Sequence, residues 1–400
     1  MAKKIVICSD GTGNSFSKQV SNITHLIKSL ELSDPNSQVV FYDQGLGTNP
    51  NLVEKVKEYK SEPGNNRDGL TILPPPKTVK SFVLRPFFQF AGLLFGYGLR
   101  ENIKEMYKAL AENYDSSDLV FLFGFSRGAF TVRALAGLIY RCGLPPKNVT
   151  ESEEDFEKCF SEAYALYEPH HEDVSRINQF KGTYKVRDLE ICLLGIWETV
   201  KSYGGMIPKS LPHLRHNPIV NTVCHALALN ERRSWFRHTS WGWLDSDLKN
   251  LKTLNDKRYE QQEIKEVWFR GFHSDVGGGD AEEETAKIPL IWMLNEAKAC
   301  GLILNDYGMG KLSERRPTAP PVHESLKGGW WITELFPRRE LDNTTRPPGH
   351  PWKWGRTGAR DVDKYRRNGK ICLHPSVGNS YNLENVSCDI FKPKLIRSGA

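Results

Sequence analysis

The sequence predicts an α/β fold in which a doubly wound, mainly parallel sheet carries helices on both faces. Five short apolar runs, rich in β-branched residues, do not alternate with polar residues, as is typical of strands buried on both faces. Segments with helical spacing, such as 22–30 and 103–114, lie between them, and alternating β and α units favour a parallel sheet. The five predicted strands are residues 5–8, 39–42, 119–123, 189–197 and 267–272.

A nucleophile elbow is predicted where the third strand meets the following helix. The apolar run leads directly into Gly-Phe-Ser-Arg-Gly at residues 124–128, and an Ala-rich helical pattern follows. In a G-x-S-x-G elbow the serine sits on a strained turn with its Oγ above the sheet. Gly124 and Gly128 let strand and helix backbones pass closely. Ser126 is therefore the candidate nucleophile, and the backbone N–H of Arg127 is a candidate oxyanion donor at a helix N-terminus.

A serine nucleophile needs a base, and the base needs an orienting carboxylate. In α/β hydrolases the chain order is serine, acid, histidine, each just past a strand end. Glu198 is the first acid after the fourth strand, and His273 is the first histidine after the fifth. Asp275 is the alternative acid, either orienting the base or forming a dyad with Ser126. Three other histidines compete with His273 for the role of base, namely His225, His323 and His374.

The first strand ends in a polar glycine turn that is a candidate for the second oxyanion donor. It reads Ser-Asp-Gly-Thr-Gly-Asn at residues 9–14. In α/β hydrolases this donor comes from a loop after an early strand, so we assign it to backbone N–H groups of Gly11 and Thr12. Asp10 is expected to brace the loop by hydrogen bonds. Open α/β sheets bind ligands at the carboxyl ends of their strands, where all of these candidates lie.

These motifs, taken as an ordered set, resemble a bacterial and fungal family of uncharacterised α/β hydrolases. That family includes the catalytic domains of type VI secretion phospholipase effectors. The resemblance implies a Ser-acid-His triad and hydrolysis of lipid esters, with Ser126 and His273 in the family's positions. Two residues depart from the family pattern, because Glu198 stands where the family has Asp and Gly13 where it favours Trp. The matching pieces are residues 10–14, 42–48, 96–103, 123–130, 226–233 and 273–279, with a later element at 374–377.

The sequence thus predicts a serine esterase or lipase that forms an acyl-enzyme and uses no metal or cofactor. Two other classes of protein stay open. One is a catalytically silent binding or toxin-associated module on a hydrolase fold. The other is an actin-like phosphotransferase, because residues 10–12 resemble a phosphate loop. Actin-like proteins place a hairpin strand next, whereas a helical pattern follows here, and no Walker-type lysine motif is present.

Length and composition set the expected organisation of the chain. Its 400 residues are 39% hydrophobic and 26% charged, with a net charge of +6 and no basic stripe, so we expect no nucleic-acid partner. We expect an α/β-hydrolase catalytic domain over 1–300, with insertions at about 49–100 and 145–185. A loop-rich extension over 301–400 is expected to pack on the core. The sequence does not specify an oligomeric state.

The sequence also bears on location. The eight cysteines form no C-x-x-C pair, which favours free thiols in a reducing compartment. We expect no signal peptide and no transmembrane helix, hence a cytoplasmic protein in the producing cell, with delivery by a secretion system left open. The aromatic stretch from Phe82 to Leu99 is short and broken by Arg and Pro. It is expected to be buried or to form an apolar surface that contacts a membrane.

Overall fold

A computed structural model of the chain describes residues 2–11, 20–45, 67–74, 93–169, 172–200, 211–233, 236, 238–241, 262–279, 284–314, 323–325, 338–339, 352–353, 360 and 371–380. Seven strands in these ranges form one sheet, and every neighbouring pair runs parallel. The strands are β1 (Lys4–Ser9), β2 (Gln38–Asp43), β3 (Leu70–Ile72), β4 (Leu119–Phe125), β5 (Ile191–Trp197), β6 (Val220–Ala228) and β7 (Glu263–Phe269).

The order of strands in the sheet is β3-β2-β1-β4-β5-β6-β7, which confirms the doubly wound fold. The chain winds outwards in one direction from β1 and in the other from β4. In such sheets the ligand crevice lies where the winding reverses, outside the carboxyl ends of the two central strands. Here those ends carry Asp10 and Gly11 after β1, and Ser126 after β4. The topology therefore places the predicted nucleophile and the predicted oxyanion loop on opposite sides of one crevice.

Helices cover both faces of the sheet. They are α1 (Asn22–Ser29), α2 (Leu93–Asn113), α3 (Arg127–Cys142), α4 (Glu153–Tyr167), α5 (Val174–Tyr184), α6 (His273–Gly277), α7 (Glu284–Ala299) and α8 (Asp306–Ser313). One hydrophobic cluster joins the sheet to helices α2 to α5, and a second joins its other face to α1, α6 and α7. Side chains of β1 alternate between the two: Ile5 and Ile7 enter the first cluster, Val6 and Cys8 the second.

Capping residues fix where several helices begin. The hydroxyl of Ser21 accepts a hydrogen bond from the Thr24 N–H at the start of α1. Ser152 does the same for α4, whose first turn is acidic and thus favourable to the helix dipole. At α3 the cap is Ser126, whose side chain makes no capping bond. The Ser126 hydroxyl is therefore not used to cap α3.

The five predicted strands are confirmed, but two strands were not predicted. Strand β6 carries Asn221, Thr222 and His225 among its apolar residues, so it lacks a continuous apolar run. Strand β3 has three residues and lies inside the stretch 49–80 that was interpreted as an inserted loop. That interpretation is wrong for 70–72, which extend the sheet at its edge. The stretch 145–185, which the sequence predicts to be an insertion, holds α5 as well as the helix expected near 155–167.

The region beyond residue 300 contributes several described pieces. Residues 371–374 add to the outer edge of the sheet, where Trp268 donates its N–H to the Cys372 carbonyl at 2.9 Å and its carbonyl accepts from the His374 N–H. Residues 338–339 and 352–353 form a two-stranded antiparallel ribbon, β8 (Arg338–Arg339) and β9 (Trp352–Lys353). Most of the stretch from Phe82 to Leu99 lies outside the described residues, and its end forms the first turns of α2. Among the helices that are described, none has the length and apolar character needed to cross a bilayer.

Candidate active site

Ser126 lies at a sharp turn between β4 and α3, as the elbow motif predicts. Its backbone has φ 55° and ψ −112°, a left-handed conformation that is strained for a residue with a Cβ atom. The turn is fixed on both sides, because the Ser126 N–H donates to the Trp197 carbonyl at 3.0 Å and its own carbonyl accepts from Phe130. Residues 120–125 of β4 are buried, whereas Ser126 is partly exposed.

The two elbow glycines stand where a side chain would collide with backbone. A Cβ atom at Gly124 would lie 2.6 Å from the Ala129 Cα on the first turn of α3. A Cβ at Gly128 would lie 2.1 Å from the Ser9 carbonyl oxygen at the end of β1. Both glycines therefore allow the close packing of α3 against the sheet that places Ser126 over the strand ends.

Glu198 and His273 meet at the carboxyl ends of β5 and β7. The Glu198 Oε2 lies 3.1 Å from the His273 Nδ1, and both side chains are buried. An ionised carboxylate can only accept, so the imidazole Nδ1 carries the proton and its Nε2 is left as an acceptor. Glu198 also adopts a positive φ, 48°, directly after its strand, and its N–H donates to the Ala226 carbonyl. This pair has the polarity that a serine hydrolase requires of its acid and base.

A guanidinium also holds Glu198. The Arg360 guanidinium donates to both carboxylate oxygens, at 2.7 Å to Oε1 and 2.8 Å to Oε2. The Ala228 N–H donates to Oε1 at 2.6 Å. Burial by itself would raise the pKa of Glu198, but Arg360 and the bond from His273 outweigh it and hold that pKa well below its ordinary value. The carboxylate is therefore ionised wherever the protein is folded near neutral pH.

The loop that carries His273 is clamped by the residues that follow β6. The Asn230 N–H donates to the Gly271 carbonyl at 2.9 Å, and the Gly271 N–H donates to the Asn230 Oδ1 at 2.8 Å. The Glu231 carboxylate accepts from the His273 N–H at 3.2 Å. Glu231 is itself paired with Arg233 at 2.7 Å. Burial lowers the pKa of His273, and this outweighs the opposing effect of Glu198. The imidazole is thus held neutral, the form that can take up a proton.

Aromatic rings enclose the same imidazole. The rings of Phe125 and Phe236 each have their centroids 4.9 Å from the centroid of His273, one tilted and one edge-on. Phe125 belongs to β4, one residue before Ser126, so the nucleophile strand and the histidine loop pack together. This contact ties the position of the candidate base to that of the candidate nucleophile.

Asp275 has a different histidine partner. Its Oδ1 lies 2.6 Å from the His323 Nδ1, and its Oδ2 accepts from the Phe272 N–H at 3.0 Å. Burial raises the pKa of Asp275, and the bonds from His323 and Phe272 only partly offset this. The two candidate acids thus serve two separate histidines, and the hydrogen bonds described for Asp275 lead away from His273.

The Asp10 carboxylate braces the start of the loop after β1 by hydrogen bonds, and one of these bonds occupies a backbone N–H group of the loop. The buried Asp10 carboxylate accepts from Ser21 at 2.7 Å, from Tyr42 at 3.0 Å and from the Gly11 N–H at 2.7 Å. The Gly11 N–H is therefore engaged by Asp10 in this structure. Thr12, the other candidate donor of this loop, lies outside the described residues.

Next to Asp10 lies a second buried acid at the end of β2. Asp43 accepts from the hydroxyl of Ser9 at 2.6 Å, from the Asn102 amide at 3.0 Å and from the Gly45 N–H at 3.2 Å. Burial raises the pKa of Asp43 to about 6, and the nearby Asp10 adds to the effect. No group of three or more His, Cys, Asp or Glu suited to a metal occurs in the part of the chain that the structure describes.

The two remaining candidate bases, His225 and His374, are held in place by side chains of β7. His225 is fully buried in β6, where its Nδ1 faces Glu266 at 2.8 Å. His374 stacks on the ring of Phe269 at the sheet edge.

Two residues of the site, Glu231 and Arg360, were not predicted from the sequence. Glu231 lies in the quoted 226–233 motif, which was a usable signal, whereas Arg360 lies in a stretch without periodicity.

The described residues form a doubly wound α/β protein with a serine on a strained strand-to-helix turn and a buried acid–histidine pair. The sequence of residues 3–296 matches the family described as T6SS, phospholipase effector Tle1-like, catalytic domain. This match covers well over half of the chain, and the chain belongs to that family. The resemblance deduced from the motifs is thereby confirmed.

Two individual proteins are similar to parts of the chain. An uncharacterized protein of Saccharomyces cerevisiae is 29% identical over 248 residues, which make up 59% of this chain and 32% of that protein. The match thus spans about a third of the length of the yeast protein. A crystal structure of an uncharacterized protein from Pseudomonas aeruginosa aligns with 17% identity and a TM-score of 0.37, covering 76% of this chain and 46% of that one.

Proposed function

We propose that this protein is a serine hydrolase that cleaves carboxylic esters of lipids through Ser126, His273 and Glu198. The observation that carries the proposal is the 3.1 Å contact between Glu198 and the His273 Nδ1, in a site whose nucleophile strand packs against the histidine ring. The strained backbone of Ser126 supports it, because such strain persists where the surrounding structure holds a residue for function.

The proposed reaction proceeds through an acyl-enzyme. The His273 Nε2 takes the hydroxyl proton of Ser126 as the Oγ forms a bond to the ester carbonyl carbon. Glu198 accepts from Nδ1 throughout and stabilises the imidazolium. The ester C–O bond then breaks, and His273 gives its proton to the departing alcohol. Water attacks the acyl carbon and loses a proton to His273. The bond between that carbon and Oγ then breaks, His273 returns the proton to Oγ, and the carboxylic acid leaves.

The oxyanion of each tetrahedral intermediate needs N–H donors at the crevice. Arg127 is the first residue of α3, and the first turn of a helix directs N–H groups towards its N-terminus. We assign one donor to the Arg127 N–H and the second to the loop of Gly11 and Thr12. Because the Gly11 N–H donates to Asp10, Gly11 can contribute only if that bond is released or shared when substrate binds.

Phospholipids are the substrate class that the family description supports, since it names phospholipase effectors. The partly exposed ring of Phe236 beside His273 provides an apolar surface of the kind an acyl chain would contact. Contact of Phe82 to Leu99 with a lipid surface stays part of this proposal, as does delivery by a secretion system. The proposed substrates thus combine a carboxylic ester with a long acyl chain.

The test is hydrolysis of a panel of p-nitrophenyl esters of rising acyl length and of vesicles of phosphatidylcholine and phosphatidylethanolamine. Ser126→Ala should reduce turnover by at least about 10³-fold, because the nucleophile is lost while the fold is kept. Ser33→Ala is the matched control, since Ser33 is exposed on the loop between α1 and β2, at the amino ends of the strands and away from Ser126 at their carboxyl ends. Equal turnover in Ser126→Ala and wild type would refute the proposal.

A further inference from the structure

The Arg360 side chain is built into the site more deeply than the sequence indicates. Its guanidinium donates to the Glu198 carboxylate twice and to the carbonyls of Ala228 and Phe236 once each, at 2.7 to 2.8 Å. The side chain is 6% exposed and the Glu198 side chain 0%. A bidentate guanidinium–carboxylate pair fixes the plane of the carboxylate as well as its charge.

We infer that Arg360 is a positioning residue of the proposed active site, which holds both oxygens of Glu198 in the orientation that receives the His273 Nδ1–H. The inference rests on the proposed function for its catalytic meaning. Arg360 lies beyond residues 3–296, the span that matches the family, so a part of the chain outside that span completes the site. It does so by joining the carboxyl ends of β5 and β6 to Phe236, whose ring contacts the base.

The physical need for such a residue follows from the burial of Glu198. A buried carboxylate without a paired cation is costly. Without Arg360, the hydrogen-bonded His273 can supply the compensating charge by taking up a proton, and a protonated imidazole cannot act as a base. A lysine at this position would keep the charge but could not reach both oxygens with a planar fork.

Charged groups from several elements face His273 and Glu198. His273 is faced by Glu198 after β5 and by Glu231 and Arg233 after β6. Asp275 lies on the same helix as His273 and is bonded to His323. Glu198 is faced by Arg360, His273 and the buried His238, whose pKa is lowered well below its ordinary value by burial and by Arg360. Loss of Arg360 leaves the charge of Glu198 uncompensated. The imidazolium of His273 is then stabilised, so its pKa should rise.

The experiment compares Arg360→Gln and Arg360→Lys with Arg187→Gln. Arg187 is a matched control, because it also donates to several backbone carbonyls, those of Ala111, Tyr114 and Pro145. It precedes β5, whereas Glu198 follows β5 at the other end of the strand. Two quantities are measured for each variant. One is kcat/KM for p-nitrophenyl butyrate against pH, and the other is the pKa of His273 from ¹³C-histidine NMR, assigned with His273→Gln.

Arg360→Gln should lower kcat about 10- to 100-fold, raise the pKa of His273 and move the acid limb of kcat/KM to higher pH. Arg360→Lys should keep the limb near its wild-type position while kcat stays reduced, because charge is restored without the fork. Arg187→Gln should lower thermal stability and move neither quantity. An unchanged His273 pKa and acid limb in Arg360→Gln would overturn the inference.

The two readouts separate this inference from the proposed function. The NMR titration needs no turnover, so a raised His273 pKa in Arg360→Gln supports the positioning role even if the wild type hydrolyses no ester, a result that would refute only the proposed function. Conversely, an active wild type whose His273 titrates identically with and without Arg360 keeps the proposed function and refutes the role of Arg360. If Arg360→Gln does not fold, Arg360→Lys decides, because a loss of kcat at an unmoved acid limb is expected of it, and full wild-type kcat contradicts the inference.

Discussion

Two buried carboxylates at the same edge of the sheet, Glu198 and Asp43, have opposite electrostatic surroundings. Glu198 is bonded to a guanidinium and an imidazole, and its pKa lies well below the ordinary value. Asp43 is bonded to neutral donors, namely a hydroxyl, an amide and a backbone N–H, and its pKa is raised to about 6. Burial acts in the same direction on both carboxylates. The charge of the partners therefore decides whether the pKa of each buried carboxylate lies below or above its ordinary value.

The difference separates two tasks within one crevice. In the proposed mechanism Glu198 must stay ionised to orient the base, and Arg360 supplies the cation that keeps it ionised. Asp43 and its neighbour Asp10 join β1, β2 and α1 next to the proposed oxyanion loop, through hydrogen bonds from neutral donors. We therefore expect changes at Glu198 to act on turnover, and changes at Asp43 to act on stability and its dependence on pH.

The largest effect is expected for Glu198→Gln. A neutral amide no longer stabilises the imidazolium and can present its NH₂ to Nδ1, so kcat should fall by about 10⁴-fold, as for other triad acids. The matched control is Asp275→Asn, in which a neighbouring buried acid changes in the same way. Since Asp275 is bonded to His323, that variant should lose less than about tenfold. Near-full activity in Glu198→Gln together with a large loss in Asp275→Asn would reverse the assignment of the acid.

A smaller effect, on stability, is expected for Asp43→Asn. An acid whose folded-state pKa is raised binds more protons in the folded than in the unfolded state, so wild-type stability from this group declines as pH rises from about 4 to above 6. Asn keeps an acceptor and does not ionise. The free energy of unfolding of the variant, relative to wild type, should therefore improve by up to about 3 kcal/mol between pH 4 and 7.5. Urea unfolding at several pH values measures this, and a difference that is constant or has the opposite sign would contradict it.

The parts of this comparison that the sequence could predict are those encoded locally. Ser126 was identified because an apolar strand, a glycine motif and a helix follow one another in the chain, and Glu198 because it directly follows a strand. Strand β6 was missed because its polar residues are satisfied only in three dimensions, as with His225 and Glu266. Arg360 was missed because its partner is 162 positions away and its own segment has no periodic pattern.

The central claim, that Ser126 is the nucleophile, is tested most directly by labelling with a fluorophosphonate and mapping the adduct by peptide mass spectrometry. We expect one adduct per chain, on the peptide that contains Ser126, with labelling abolished in Ser126→Ala and strongly slowed in Glu198→Gln. Labelling of wild type at another residue, or equal labelling of wild type and Ser126→Ala, would contradict it.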